Sequence, residues 1–410
     1  MSTLAQARSF NRPIQLLMVN QLTINAGFYM LMPYLANHLA GDLHLAAWLV
    51  GLILGVRNLS QQGLFLLGGS LADRLGYKPM ILAGLGLRTV GFALLGFGTA
   101  LPTLIIASSL TGLAGALFNP AVRAYLAQEA EERRVEAFAV FNVFYQLGIL
   151  IGPLLGLALG GIAFRVTCEV AAGLFAVLAI IQSRILPPRR GSHADAQQTL
   201  LQDWRQAWAN RAFLLFSLAM IGSYILNFQI YLALPVEVVR ITGGQWGVML
   251  LFAVSGLLAI TGQIRITAWA KARWEPPQAI VAGLALMATA FVPLAAMAWA
   301  GPGLLPYAAV LLTTVLLTLA TMIVYPFEMA TIVTLGGERM VGTYYGLYNT
   351  LSGIGIAIGT LGSGAALDTG RRIGLPALPW LALTAVGAAC AAAVYALLGC
   401  GPVLRSSGRG

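Results

Sequence analysis

Long apolar stretches, separated by short polar ones, run along almost the whole of this chain. Twelve of them, over 14–37, 46–70, 79–99, 102–126, 137–161, 166–186, 211–235, 245–267, 277–299, 304–333, 341–366 and 376–399, are long enough to predict bilayer-crossing helices. About 20 apolar residues span the hydrocarbon core, and a helix satisfies its own backbone where no water can. The pattern predicts an all-α integral membrane protein with twelve transmembrane helices. The one long polar interruption, 187–210, separates six spans from six. It predicts an N-terminal six-helix bundle over 1–186, a cytoplasmic linker over 187–210 and a C-terminal six-helix bundle over 211–410.

The two halves echo each other. Pro120 answers Pro326 and Glu132-Arg133 answers Glu338-Arg339, both 206 positions apart, and each charged pair precedes a Gly-rich span. A shared offset points to duplicated units, the layout of many secondary transporters.

Composition narrows the class. The chain is 59% hydrophobic and 9% charged, with a mean hydropathy of +0.82. Soluble domains are about a quarter charged, so no sizeable aqueous domain is expected, which argues against a receptor. The net charge of +10 reflects orientation rather than nucleic-acid binding. With the N-terminus in the cytoplasm, eighteen of the 24 lysines and arginines fall on that side, four on the other, and Arg57 and Arg88 within spans. Such a bias predicts both termini inside. Cys168, Cys390 and Cys400 show no paired spacing, and His38, His44 and His193 fall in predicted loops. No metal site, cofactor or nucleophile–histidine pair is expected, which argues against a membrane enzyme.

Polar residues avoid the third, sixth, ninth and twelfth spans, which predicts that these face lipid. They collect at mid-depth in the first, second, fifth, seventh, tenth and eleventh, where a polar side chain needs a protein interior or a wet cavity. Asn142, Tyr145 and Gln146 fit one face of the fifth span, and Tyr224, Asn227 and Tyr231 one face of the seventh. Arg57 and Gln61 are one turn apart on the second. Asn20 and Asn25 lie in the first, Glu328 in the tenth, and Tyr345, Tyr348 and Asn349 in the eleventh. Interhelical hydrogen bonding accounts for any single one; as a set they predict a cavity for a small-molecule substrate.

Two runs carry more. Between the second and third spans stands Gly68-Gly69-Ser70-Leu71-Ala72-Asp73-Arg74-Leu75-Gly76-Tyr77-Lys78-Pro79. Small residues allow close approach, Gly76 permits a sharp reversal, and Asp73 places a carboxylate at the membrane edge, where it can hold the positive end of a helix. The fifth span contains Gly148-Ile149-Leu150-Ile151-Gly152-Pro153-Leu154-Leu155-Gly156, then Gly160-Gly161, a face suited to close helix packing. The first run resembles the loop signature of the major facilitator superfamily, with Tyr77 in a usually basic position. The second resembles the antiporter signature of its twelve-helix drug:proton antiporters. One position departs from the superfamily: the usual Arg four residues before Gly112 is Ser108, and Arg57 is the candidate replacement cation.

The resemblance implies a monomeric, proton-coupled secondary transporter of the bacterial cytoplasmic (inner) membrane that exports amphiphilic small molecules or drugs. Gly69, Asp73, Arg74, Gly76 and Lys78 would form a conformational gate. Gly148, Gly152, Pro153 and Gly156 would discourage leak. Glu328 is the acid well inside a span. If it approaches Arg57 in one conformation only, its proton affinity alternates with access, since a nearby cation lowers a carboxyl pKa and burial raises it. The membrane potential supplies about 2.3 kcal/mol per charge per 100 mV. Export of one metabolite, such as a siderophore, sugar or lipid-like compound, remains the alternative, ahead of a non-transporting membrane protein.

Overall fold

The computed structural model describes residues 3–31, 34–35, 38–160, 164–189, 199–243, 246–337 and 340–399. Gly161, Arg190, His193, Glu338, Arg339, Cys400, Arg405 and Arg409 lie outside them. The described chain is all-α, without a strand. Its helices are α1 (Thr3–Arg8), α2 (Arg12–Tyr29), α3 (Ala47–Gly63), α4 (Phe65–Leu75), α5 (Tyr77–Phe97), α6 (Leu101–Ala130), α7 (Arg134–Gly160), α8 (Phe164–Ile185), α9 (Leu200–Ala209), α10 (Arg211–Phe228), α11 (Ala233–Thr242), α12 (Trp246–Arg273), α13 (Pro276–Thr289), α14 (Val292–Ala296), α15 (Leu304–Gly336), α16 (Val341–Arg372) and α17 (Leu378–Gly399).

Every predicted span coincides with one helix or a broken pair. Among the described residues nine segments are long and apolar enough by themselves to cross a bilayer, the sixth and seventh helices counting as one. The first two spans miss that measure because they hold the polar residues: Asn20, Gln21, Thr23 and Asn25 in α2, and Arg57, Asn58, Gln61 and Gln62 in α3. Local chemistry sets the breaks. Asn11 caps α2, its side chain accepting from the Ile14 N–H at 3.2 Å, and Pro13 fits the first turn. α3 gives way to α4 at Leu64, after Gly63. Gly76 takes φ +100° between α4 and α5, a region that Cβ-bearing residues avoid.

The chain divides into two compact units. Residues 1–209 and 336–350 form the first, 210–335 and 351–410 the second, so the first ten residues of α16 group with unit 1. In unit 1, α5 packs against α6 and α8, α2 against α7, and α3 and α4 against α6. Phe92, Phe118, Phe175, Tyr77 and Tyr125 fill its core. In unit 2, α13 and α10 pack against α17 around Phe213, Phe216, Phe291 and Trp380. Exposed Val170, Val177 and Ile180 on α8, and Leu381 and Tyr395 on α17, are apolar surface that lipid covers and water would not.

Two sequence expectations differ from the structure. The ninth span was predicted to face lipid, yet 56% of it is buried, against 22% of the twelfth, because α10 and α17 cover α13. The seventh span is not one helix: α10 ends at Phe228, Gln229–Tyr231 form a 3₁₀ turn, and α11 starts at Ala233. Pro235 explains this, since its ring would strike the carbonyl four residues back, at Tyr231.

Candidate functional site

The loop motif is a helix-start clamp inside unit 1. α4 carries Asp73 on its last turn, and α16 offers it the free N–H groups that every helix start leaves without internal partners. The Gly342 N–H donates to Asp73 Oδ1 at 2.8 Å, and the Thr343 N–H and hydroxyl to Oδ2 at 2.7 and 2.8 Å. The Tyr77 hydroxyl donates to Oδ1 at 3.1 Å. Asp73 lies in the turn beyond the predicted span, and burial pushes its carboxyl up to about 6 against the opposing hydrogen bonds from Thr343, Gly342 and Tyr77. Four donors and a helix dipole converge on one buried carboxylate.

The rest of the motif positions that carboxylate. A Cβ on Gly69 would overlap the Gly342 carbonyl oxygen, so glycine is what lets the two helices approach. Arg74 donates from Nε and Nη2 to Asp203 Oδ2 at 3.0 and 2.5 Å. The Trp204 indole donates to Ser70 Oγ at 2.8 Å. Lys78 is half-buried and forms no ion pair with a described residue. Asp203 and Trp204 were unassigned in sequence, being part of a polar linker; the usable signal was the amphipathic run Leu200–Ala209, which forms α9.

The antiporter-like run is a close-packed seam. A Cβ on Gly148 would lie 2.5 Å from the Leu22 carbonyl oxygen, and one on Gly152 2.7 Å from the Tyr29 Cβ; one on Gly156 would overlap the Met30 carbonyl oxygen. The Pro153 carbonyl accepts from the Tyr34 hydroxyl at 3.0 Å. α7 thus lies on α2 along three successive turns.

The predicted cavity residues fall into separate clusters. In unit 1, Asn25 Nδ2 donates to the Tyr145 carbonyl at 2.9 Å, and the Tyr145 hydroxyl is hydrogen-bonded with Tyr29. Arg57 Nη2 donates to Gln61 Oε1 at 3.1 Å. Arg123 donates to Asn349 Oδ1 at 2.7 Å, and Asn349 Nδ2 to the Tyr345 carbonyl at 2.7 Å. Tyr345 meets Phe138 edge-on. Tyr348 and Asn142 are buried, and Gln146 is half-buried. Asn20 is fully buried with neither side-chain atom hydrogen-bonded to a described residue.

In unit 2, Thr321 donates to Asn227 Oδ1 at 3.2 Å, and Tyr224 is half-buried. Tyr231 departs from the expected common face: the 3₁₀ turn leaves it 44% exposed, tilted against Phe228 and Phe252. Glu328 is 3% exposed among the apolar residues of α15. Two acids near span ends are paired, Glu169 with Arg165 at 2.8 Å and Glu237 with Arg240 at 2.6 Å.

Residues 17–360 match the family model described as Major Facilitator Superfamily. An uncharacterized MFS-type transporter of Mycobacterium tuberculosis, Rv0849, is 50% identical over 93% of this chain and 92% of its own length. The multidrug resistance protein MdtH of Salmonella arizonae is 30% identical over 94% of this chain and 93% of its own. Among solved structures, the Escherichia coli fucose:proton symporter FucP has a TM-score of 0.73 at 16% identity, over 94% of this chain and 98% of that one. The human organic anion transporter MFSD10 has 0.71 at 16% identity, over 93% and 99%.

Proposed function

This chain belongs to the major facilitator superfamily and is a multi-pass membrane transporter, not an enzyme; from that premise we propose that it is a proton-coupled exporter of amphiphilic small molecules, drugs among them, working by alternating access. The observation that carries the reading is Glu328, an acid 3% exposed in the middle of an apolar spanning helix. An ionisable group in that setting is costly to keep, and it marks a proton or ion pathway. Glu328 is the proton carrier in this reading, with Arg57 as the coupling cation.

Three further features support it. A 30%-identical relative carries the name multidrug resistance protein. The seam of α7 on α2 has the spacing of the antiporter signature, and it is tight enough to exclude even a methyl group at Gly148 or Gly156. The Asp73 clamp gives the cycle a contact that can be made and released as a unit. Asn20, Asn25, Gln61, Asn142, Tyr145, Gln146, Tyr224, Asn227, Tyr231, Tyr345, Tyr348 and Asn349 are the polar groups available to cargo. The lysine and arginine bias puts both termini on the cytoplasmic side of a bacterial inner membrane, and the protein acts as a monomer.

Reconstitution tests this directly. Proteoliposomes loaded with fluorescent amphiphiles of either charge are given a pH gradient, and efflux is followed for wild type and Glu328→Gln. The expected result is gradient-driven efflux by wild type and its loss in the variant, with gel-filtration profile and unfolding temperature preserved. Undiminished efflux by the variant removes Glu328 from the coupling step; absence of efflux by wild type under either gradient direction removes the exporter reading.

A further inference from the structure

Unit 1 contains two guanidiniums that no carboxylate among the described residues neutralises. Arg88, midway along α5, is 6% exposed. Its Cζ lies 6.0, 5.8 and 5.9 Å from the ring centroids of Phe28, Phe118 and Phe175, and it donates no hydrogen bond to a described residue. Arg57 lies over the same Phe28 ring at 4.4 Å. It donates only to the neutral side chains of Asn58 and Gln61. The Nε of each arginine is buried and unpaired.

The packing around them is specific. Gly91, three residues beyond Arg88, meets Thr111 of α6, and Gly112 lies under the Arg57 backbone. One turn before Gly112 stands Ser108, whose hydroxyl is also buried without a partner. The described acids of unit 1 are engaged elsewhere. Asp73 holds α16, Asp203 takes Arg74, Glu129 takes Arg189, Glu136 takes Arg133, Glu169 takes Arg165 and Asp42 takes His38; Glu131 and Glu132 are exposed in a turn.

Arginine does not shed its proton in proteins, so burial cannot be relieved by deprotonation. Aromatic faces attract a cation, yet they do not supply the counter-charge that a buried ion calls for. We propose that Arg57, Arg88 and Phe28 form an anion-binding site within unit 1, and that its ligand is an amphiphilic organic anion. The carboxylate or sulfonate head lies with the guanidiniums, which present paired donors suited to such groups. The apolar body lies along the half-buried Phe28 ring. Arg57 is half-buried and forms the mouth of the site; Arg88 forms its floor. This names the cargo class of the proposed exporter, and it rests on that reading only for the step from binding to transport.

The test uses the full chain in lipid nanodiscs, with no gradient, titrated at pH 7.5 with fluorescein, an anion, and rhodamine 6G, a cation on the same ring framework. Fluorescence anisotropy is expected to show saturable fluorescein binding that benzoate displaces. Arg88→Met weakens it about tenfold or more, and Arg88→Lys, which keeps the charge but loses the paired donors, weakens it by less than Arg88→Met. Rhodamine 6G binding is unchanged in both. Arg57→Gln, at a half-exposed position, covers the case in which Arg88→Met fails to fold, and benzoate displacement needs no variant at all. Equal binding of both dyes, fluorescein that benzoate fails to displace, or wild-type fluorescein affinity in Arg57→Gln and folded Arg88→Met overturns the site. Anion binding without efflux in proteoliposomes supports the site and defeats the exporter reading; cation efflux without anion binding does the reverse.

Discussion

Each half of the chain has a turn between its second and third spans, and the two turns use their acid differently. In unit 2 the turn joins α12 to α13, and its acid, Glu275, is exposed. There the Gln278 side chain accepts from the Glu275 N–H at 3.2 Å, so the turn caps its own helix. Arg273 and Trp274 settle on Trp269, again within the same turn. In unit 1 the acid, Asp73, is 2% exposed and holds the start of a helix 269 residues further along the chain. One carboxylate serves local folding; the other ties together distant parts of the sequence. The two halves therefore differ in their working parts at this bend, and the difference between the turns rests on burial and reach rather than on residue class.

Removing the acid from each turn breaks the comparison most sharply. Asp73→Ala strips acceptors from the Gly342 and Thr343 N–H groups and from the Thr343 and Tyr77 hydroxyls. A buried donor left unpaired costs about 1–3 kcal/mol, so transport rates in proteoliposomes should fall by at least about tenfold, one decade for every 1.4 kcal/mol. Asp73→Asn keeps one acceptor oxygen and replaces the other with an amide donor that faces donors, and it should stall the cycle less completely. Normal turnover by either variant would contradict the clamp. Gly69→Ala is expected next in size. Its methyl group would overlap the Gly342 carbonyl oxygen, so the Asp73 contacts lengthen and efflux falls several-fold with only a small change in unfolding temperature. If efflux is untouched, close approach of the two helices is not needed for function.

These positions also mark how far the sequence could be read. Apolar runs of bilayer length locate the helices because membrane burial acts on each span alone, without reference to its neighbours. Small residues and a carboxylate at the membrane edge single out Gly69 and Asp73 within the Gly68–Pro79 run, and the family resemblance implies their gate role. Their partners were out of reach: Gly342 and Thr343 contribute backbone donors, which every residue but proline possesses, and only the Thr343 hydroxyl adds a side-chain donor. Asp203 and Trp204 looked like linker, since the surface they cover, Arg74 and Ser70, belongs to another segment. Arg88 sat on an otherwise apolar span predicted to face lipid, and only the meeting of Phe28, Phe118 and Phe175 from three other helices shows it to be interior. Tyr231 was placed by helical spacing that Pro235 interrupts.

Acidity separates the two turns by a smaller margin. Because burial pushes the Asp73 carboxyl up to about 6 from 3.8, the clamped arrangement binds a proton more readily than one with the carboxylate in water. Its sign is that of a raised carboxyl: the clamp is weakest above about pH 6, where the group is ionised in both arrangements, and gains as pH falls from there towards 3.8. Hydrogen exchange should therefore give the Gly342 and Thr343 amides larger protection factors at pH 5 than at pH 7.5, and a flat profile in Asp73→Asn. Protection that rises with pH would show that the N–H donors, not burial, dominate at this carboxylate.

The smallest effect belongs to Glu275. It is exposed and stands at the start of α13, so Glu275→Ala removes at most one capping interaction, about 1 kcal/mol or less. Unit 2 should lose a few degrees of thermal stability at most, and efflux should match wild type within error. The result carries weight because it is the counterpart of Asp73→Ala, an acid deleted from the corresponding turn of the other half. If both deletions slow transport alike, the turns are functionally equivalent and the long reach of Asp73 is incidental. If only Asp73→Ala does, the gate is a property of one half, and it depends on a carboxylate buried against a helix start rather than on an acid at that bend of the fold.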